Sequence, residues 1–378
     1  MTEMKIKKHQ KHARLVRRNN DIFAPNEIAI LGVKCSIIAD FVQKMTQKLK
    51  KKAKIAYLDA SHADELLTQN HDTFTTHSSG NLNSSTTSEL NEYNERIRFS
   101  NYDLLFINGN HFKGAKQILI LDNEKEASVK KRLEQLDRIQ FVVKRNDDAT
   151  YFDFLIEKYP TIRNLKCYHI DDIDAIAAHI HNLTQETIAP VQGLVLAGGK
   201  STRMGNDKTQ LTYHGKAQRD YVVELLENNL LTTFVSVAHN QELSSNEFIQ
   251  DKFVDLGVFG AICSAFQEDP NKAWLVLAID LPFVNNDIIQ LLLHHRNPKK
   301  MATAIKGKSK EFVEPLITIY EPKAYPILLS YLAQGYSCPR KVLINSDVEI
   351  IEVDDDLIQN INTPEEYNEA LKELSKNS

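Results

Sequence analysis

Cysteine is scarce in this 378-residue chain: Cys35, Cys167, Cys263 and Cys338 are its four, far apart in sequence and without a C-x-x-C pair. That excludes a disulfide framework and a zinc ribbon, and it points to a reducing, cytosolic compartment. Long apolar runs are missing too. No window is apolar for the roughly 18 residues that a membrane span requires, and the charged start MTEMKIKKHQKHARLVRRNN is followed by no apolar stretch. The expectation is an unsecreted, cytoplasmic protein with no membrane contact. An excess of charge is likewise absent. Lys and Arg number 46 against 50 Asp and Glu, a net charge of -4, so nothing draws the whole chain to nucleic acid or an acidic bilayer. Any basic site is local, and no repeat of solenoid period is visible.

What is present is an ordinary globular composition, 42% apolar and 25% charged, in a length that favours two domains or one large one. The first 20 residues hold seven Lys or Arg against one Glu. A solvated arm is the plainer reading and a phosphate contact the sharper one. Glu27 to Gly32 (EIAILG) reads as a buried strand, Ile37 to Leu49 as a helix by its apolar spacing, and Lys54 to Leu58 as the next strand. Residues 68 to 91, rich in Ser, Thr, Asn and His, read as a long exposed loop. Apolar runs at Asp103 to Gly109, Gln117 to Leu121 and Gln140 to Val143 follow as strands, and Asp171 to Leu183 as a closing helix. Thr184 to Pro190 separates this from a fresh start at Val191, which places the boundary near residue 187 and the domains at 1–187 and 188–378. Strands at Val191 to Ala197, Phe234 to Ala238 and Trp274 to Ile279 alternate with helical stretches. The fold class is α/β, two domains, each a mostly parallel sheet flanked by helices.

Leu196 to Lys208 (LAGGKSTRMGNDK) combines a Gly pair after a buried strand with Arg203 and Lys208. Glycines let the backbone approach a ligand, successive N–H groups cradle phosphate oxygens, and the two cations suit a triphosphate. The string is neither the Walker nor the dinucleotide fingerprint. Asp280 ends a near-continuous apolar strand, where open parallel sheets bind ligands, although a helix N-cap ahead of Pro282 is as good a reading of the same residue. Asp255 alone reads as a plain loop acid. His239, Trp274 and Tyr320 read as packing or surface residues, and Cys263 as a small core residue.

LAGGKSTRMGNDK closely resembles the nucleotide-binding signature L-A-G-G-x-S-x-R-M-G-x-D-K of the molybdenum cofactor guanylyltransferases. VAHN (237–240), Asp255, GVFGAICSA (257–265), AIDLPF (278–283), FVEPLITIY (312–320) and NINTP (360–364) agree in order, over about the last half of the chain. The resemblance implies a Rossmann-like nucleotidyltransferase fold in that half. It also implies contacts of Leu196, Ala197 and Gly198 to guanine and ribose, and of Gly199, Ser201, Arg203 and Lys208 to phosphates. Asn240 and Asp255 would be further nucleotide contacts, Asp280 the Mg2+ ligand, and Asn360 and Asn362 neighbours of the incoming substrate and metal. The implied partners are GTP and molybdenum-molybdopterin, then molybdoenzymes or the proteins that insert the cofactor, and no nucleic acid. The sequence departs from the family where Gly257-Val258-Phe259 replaces Gly-Pro-Leu and Ile279-Asp280-Leu281-Pro282 replaces Cys-Asp-Thr-Pro. It departs again at His214, Gln218 and Arg219, where an apolar continuation is usual.

The first half resembles, in order of elements only, the P-loop GTP-binding adaptor of the same pathway. Gly32 to Ile37 (GVKCSI) lacks the second Gly followed by Lys and Ser or Thr, Asn108 stands where Glu is expected, and Asp59 with His62 resembles the adaptor's Lys-His loop only in part. Two readings stay open, a degenerate adaptor that binds cofactor, partner or the other domain, which is preferred, and an unrelated α/β module carried for stability; Walker-type GTPase activity is not expected.

Nucleotidyl transfer needs charge neutralisation, donors for developing oxyanions and an in-line nucleophile, with little covalent chemistry. The attacking phosphate is already ionised near neutral pH, which agrees with the lack of a His or Cys catalytic constellation in the sequence. The implied roles are Asp280 for Mg2+ and Arg203 and Lys208 for the α-phosphate, with pyrophosphate leaving. A cytidylyltransferase on the same pterin, whose relatives usually read Ala-Ala-Gly, and a non-catalytic chaperone that binds cofactor or partner are the competing readings.

Overall fold

A computed structural model describes residues 14–60, 72–78, 82–86, 89–197, 211–243 and 247–376. The chain divides into two units, Asn20–Ile188 and Ala189–Ser378, the second taking with it the segment that ends at Asn19. The basic arm was read with the first domain from sequence order. At its described end the Asn19 N–H donates to Asn271 Oδ1 (2.5 Å), and Asn271 Nδ2 donates to the Arg17 carbonyl (2.9 Å). Both bonds lie within the second unit.

In Asn20–Ile188 the strands are β1 (Glu27–Leu31), β2 (Ile55–Leu58), β3 (Thr73–Thr76), β4 (Leu82–Ser85), β5 (Leu104–Asn108), β6 (Lys116–Leu121), β7 (Ile139–Lys144) and β8 (Cys167–His169). The helices are α1 (Cys35–Leu49), α2 (Glu92–Phe99), α3 (Glu126–Lys131), α4 (Asp153–Lys158) and α5 (Ile173–Gln185). Among the described residues the sheet runs β2-β5-β1-β6-β7-β8, parallel throughout. Both faces are covered, which is why its strands read as continuous apolar runs. Ile28 and Ile30 face one layer with Phe41 and Met45 of α1 and Ile176 and Ile180 of α5, while Leu31 faces a second cluster with Leu119 and Leu155. The stretch 68–91 is not loop throughout. Its described part contains the antiparallel pair β3-β4, with Phe74 opposite Ser84. Phe74 and Leu82 stay exposed, so the hairpin buries no stripe that a hydrophobic pattern could reveal.

The turn from β1 into α1 depends on Gly32. Its φ is +101°, and a Cβ there would meet the Ile120 carbonyl oxygen at 2.1 Å. At the other end of β1, the fully buried Glu27 gathers the entering chain. Its Oε2 accepts the Phe23 and Ala24 N–H groups (2.7 and 3.1 Å), and its Oε1 those of Ile22 and Ala115 (3.2 and 2.8 Å). Glu27→Ala strands these donors, each worth about 1–3 kcal/mol when buried unpaired. The expected loss is about 3 kcal/mol or more, read from the urea transition of this unit.

The second unit contains β9 (Val191–Leu196), β10 (Thr233–Val237), β11 (Phe248–Gln250), β12 (Ala273–Ala278), β13 (Ala302–Gly307), β14 (Glu314–Tyr320) and β15 (Val348–Val353). Its helices are α6 (Gln218–Glu227), α7 (Gly257–Glu268), α8 (Asn286–His294), α9 (Ala324–Leu332), α10 (Pro339–Ile344) and α11 (Pro364–Leu374). The described strand order is β11-β10-β9-β12-β14-β13-β15, parallel except that β14 runs antiparallel to both neighbours. One core runs through it, with Trp274, Tyr320, Phe259 and Cys263 all buried as their packing roles require. Burial pushes the Cys263 thiol up to about 12, which keeps it neutral. Among the described residues no helix is long and apolar enough to cross a membrane.

Candidate functional site

The carboxyl ends of β10, β9 and β12 lie side by side, with Leu196 paired to Ser236 on one side and to Ala278 on the other. Parallel neighbours end on the same edge, the edge at which open α/β sheets take ligands. Leu196 is the buried last residue of β9, and half-buried Ala197 follows it. Gly198, Gly199, Ser201, Arg203 and Lys208 lie outside the described residues, as do Asp207 and His62. Asn240 stands exposed in the turn after β10. Asp280 is half-buried just beyond β12, whose Ile279 N–H reaches back to the Leu196 carbonyl (3.4 Å). The helix-cap reading of Asp280 falls away: α8 begins at Asn286 and is capped by Asn285, whose side chain accepts the Ile288 N–H at 3.2 Å.

Folding brings a segment from the far end of the sequence to this edge. The Ile361 N–H donates to the Asp280 carbonyl oxygen at 2.9 Å. Asn362 Nδ2 donates to Asn360 Oδ1 (2.9 Å), so the two predicted asparagines act as one unit. The loop is tied on its other side by a capping box at α11. Thr363 Oγ1 accepts the Glu366 N–H (3.2 Å), and Glu366 Oε2 accepts the N–H groups of Thr363 and Asn362 (3.0 and 2.6 Å). NINTP is therefore also a helix start, with Pro364 at its first position. Asp255 is a different case. It lies beyond β11 in a left-handed conformation (φ +63°), is exposed, and makes no hydrogen bond to Asn240, Asp280 or Asn360 among the described residues. Gly260 holds this loop close, because a Cβ there would meet the Phe253 carbonyl oxygen at 2.4 Å.

Glu314 and Tyr213, both within the field of Asp280, were not among the predicted site residues, although Glu314 lies in the FVEPLITIY segment. Glu314, first residue of β14, has its pKa raised mainly by burial. The charge of Asp280 adds to the rise, while the Leu316 N–H and Arg340 oppose it. Burial likewise raises Tyr213, with Tyr367, Asp280 and Glu366 adding to it. A cavity of about 640 Å3 opens beside Glu314, lined among others by Lys310, Phe312, Arg340, Asn360 and Glu366. Gln218, on the core face of α6, is fully buried, and neither its amide oxygen nor its nitrogen has a hydrogen-bond partner among the described residues. The sequence already sets Gln218 apart as a departure from the family pattern, and a polar side chain at a position of helical core spacing is a second signal of it.

His214, one of the departures from the family pattern, has a structural account. Its ring stacks on Tyr221 (3.7 Å between centroids, 16° between planes), and Nε2 bonds the Pro282 carbonyl at 2.9 Å, tying the segment after the glycine-rich loop to the end of β12. Burial lowers its pKa below the ordinary 6.5, the bond to Pro282 opposing. The unfolded chain then takes up a proton as pH falls through about 6.5 while the folded chain does not, so stability declines on the acid side. Between pH 7.5 and 5.5 the second unit is expected to lose thermal stability, and His214→Phe to flatten that slope; equal slopes would exclude His214 as its source.

Among the described residues no group of three or more His, Cys, Asp or Glu side chains could hold a metal ion. Mg2+ does not need one. It keeps several waters and is held by one or two carboxylates together with substrate phosphates. Asp280, a strand-end carboxylate whose charge is felt by Glu314, fits that mode of binding.

A family model described as MobA-like NTP transferase domain matches residues 193–349. A molybdenum cofactor biosynthesis bifunctional protein of Synechocystis is 32% identical over 183 residues, which cover 47% of this chain and 53% of that protein. The chain thus spans about half the length of that relative. A probable molybdenum cofactor guanylyltransferase of Natranaerobius thermophilus is 28% identical over 201 residues, 49% of this chain and 97% of its own. Among solved structures, molybdopterin-guanine dinucleotide biosynthesis protein A of Archaeoglobus fulgidus aligns at 24% identity and a TM-score of 0.42, covering 49% of this chain and 99% of its own. The strand ends that gather Leu196, Ala197, Asn240 and Asp280 fall inside the residues that match the MobA-like NTP transferase domain model, 193–349.

Proposed function

We propose that the chain transfers GMP from GTP to molybdenum-molybdopterin, forming the guanine dinucleotide cofactor and releasing pyrophosphate. The observation that carries this reading is the meeting of β9, β10 and β12 at one edge, with the Ile361 N–H bonded to the Asp280 carbonyl. Nucleotide and second substrate would share that edge.

Leu196, Ala197 and Gly198 hold guanine and ribose, and Asn240 and Asp255 add polar contacts. Gly199 and Ser201 approach the phosphates closely, and Arg203 and Lys208 place cationic donors against the α-phosphate as negative charge grows there. Mg2+, when bound, would supply neutralisation of phosphate charge. Asp280 anchors it, and Asn360 and Asn362 direct their amides at the incoming phosphate. That phosphate is ionised near neutral pH, so these residues orient and stabilise and no side chain need take its proton. Residues 1–187 would form the degenerate adaptor domain and 188–378 the transferase.

Titration calorimetry with GTP, CTP and ATP, with and without Mg2+, tests the reading. Selective, Mg2+-dependent GTP binding that weakens in Asp280→Asn is expected. Preference for CTP would favour a cytidylyltransferase, and no nucleotide binding would favour a cofactor chaperone.

A further inference from the structure

The N-terminal unit gathers a set of reactive side chains that nucleotidyl transfer does not use. Cys35 is the first residue of α1, a 15-residue helix with no acidic side chain in its first turn. Its Sγ lies 3.3 Å from His111 Nε2, and Asn110 Nδ2 stands 3.5 Å from the same sulfur. His111 Nε2 is also 3.8 Å from Asp59 Oδ1. Asp59 is held in turn by the Tyr57 hydroxyl and by Asn108 Nδ2, each donating at 2.8 Å. Asn110 is fixed through Nδ2 to the Val33 carbonyl (2.9 Å) and through its N–H to Asn108 Oδ1 (3.1 Å). These residues come from the carboxyl ends of β1, β2 and β5, adjacent parallel strands, the edge at which such sheets take ligands. The sequence alone pointed to no His or Cys constellation, because 24, 49 and 3 residues separate Cys35, Asp59, Asn108 and His111 along the chain.

The arrangement selects the chemistry. A helix N-terminus, an adjacent imidazolium and an amide donor each stabilise a thiolate. A histidine serving as general base has its carboxylate on the nitrogen opposite the nucleophile. Here the sulfur and Asp59 approach the same nitrogen, which suits a protonated imidazole lying between two anions. The geometry points to Cys35 as a thiolate ion-paired with His111 that takes a sulfur atom of a low-molecular-weight disulfide, leaving a mixed disulfide on the protein. The thiolate attacks one sulfur, the original S–S bond breaks as the new one forms, and the departing thiolate takes the proton from His111 Nε2. One disulfide replaces another, with no net oxidation. Cys167 cannot resolve the product. Its strand β8 lies three positions along the sheet from β1, roughly 14 Å at the usual spacing of strands, beyond the reach of about 7 Å between paired Cα atoms.

The protein carries its own controls, since Cys167 and Cys338 are exposed, Cys35 is half-buried and Cys263 is buried. Exposure alone would have Cys167 and Cys338 react first. Limited alkylation of the full chain with iodoacetamide at pH 6.5, read by peptide mass mapping, is expected to label Cys35 about tenfold faster than either. Oxidised glutathione is expected to form a mixed disulfide at Cys35 ahead of the others. Among the described residues the titratable groups around the sulfur include His111, Asp59 and Tyr57, with Lys34 next in the chain. His111→Asn should remove most of the advantage at pH 6.5 and little of it at pH 9, where ordinary thiols also ionise, and unlabelled Cys263 reports that the variant is folded. Labelling of Cys167 or Cys338 as fast as Cys35 in the unaltered protein would overturn the activated thiolate. Fast alkylation without a mixed disulfide would overturn the disulfide as its reactant.

Discussion

Asp280→Asn is expected to reduce GMP transfer about a thousandfold while leaving the fold intact. The substitution keeps volume and one oxygen but removes the charge proposed to anchor Mg2+ at the strand end, and loss of one preorganised electrostatic group costs about 10²–10³ in rate. The tie to the Ile361 N–H uses the backbone oxygen of Asp280, not its side chain, so the NINTP loop keeps its anchor. The melting temperature should therefore barely move. A second readout follows from the electrostatics. The charge of Asp280 contributes to the raised pKa of Glu314 and of Tyr213, so its removal should lower both toward their ordinary values. Burial, the larger cause for each, remains. Turnover unchanged in Asp280→Asn, and also in Lys208→Ala, would reject the proposed site.

The largest expected loss of stability in the second unit comes from Arg296. Its guanidinium meets Glu321 with two bonds, Nε to Oε1 at 2.7 Å and Nη2 to Oε2 at 2.8 Å, and Nη2 also donates to the Ala189 carbonyl at 2.7 Å. The side chains are 13% and 2% exposed, so water can replace little of this. Arg296→Ala leaves a buried carboxylate without its partner, a cost of about 3–5 kcal/mol. Arg296→Lys restores the charge but not the planar fork and should recover only part of the loss. The double variant Arg296→Met/Glu321→Leu should recover most of it, because removing both charges also removes the desolvation cost. Urea titrations of the four proteins check the order. A single variant within about 0.5 kcal/mol of the parent would mean that the pair contributes no more than an exposed one.

Much of the strand pattern was legible because both sheets are covered on both faces. EIAIL, LLFIN and KQILIL are apolar apart from a polar residue or two at one end and AWLVLA is apolar throughout, and each forms a buried strand within a residue or so of its expected limits. Other elements escaped. The hairpin β3-β4 exposes its side chains and so has no hydrophobic period, and β8 and β11 are three-residue strands too short to show one. β13, β14 and β15 were not read as strands either, because β14 runs antiparallel and breaks the alternation of strand and helix. The departure at His214 looked unexplained in one dimension because its partners, Tyr221 and the Pro282 carbonyl, lie elsewhere in the chain.

The sequence by itself determined the α/β class and the place of Asp280 just beyond the end of a strand. Both follow from local patterns, the apolar spacing along strands and helices, that act over a few neighbours. Only the tertiary structure decided that Ile361 meets Asp280, that Glu314 shares its field, and that Cys35, Asp59 and His111 converge. Those contacts arise where parallel strands end on a common edge, and strand order in a sheet is set by packing between distant segments, which spacing along the chain does not encode.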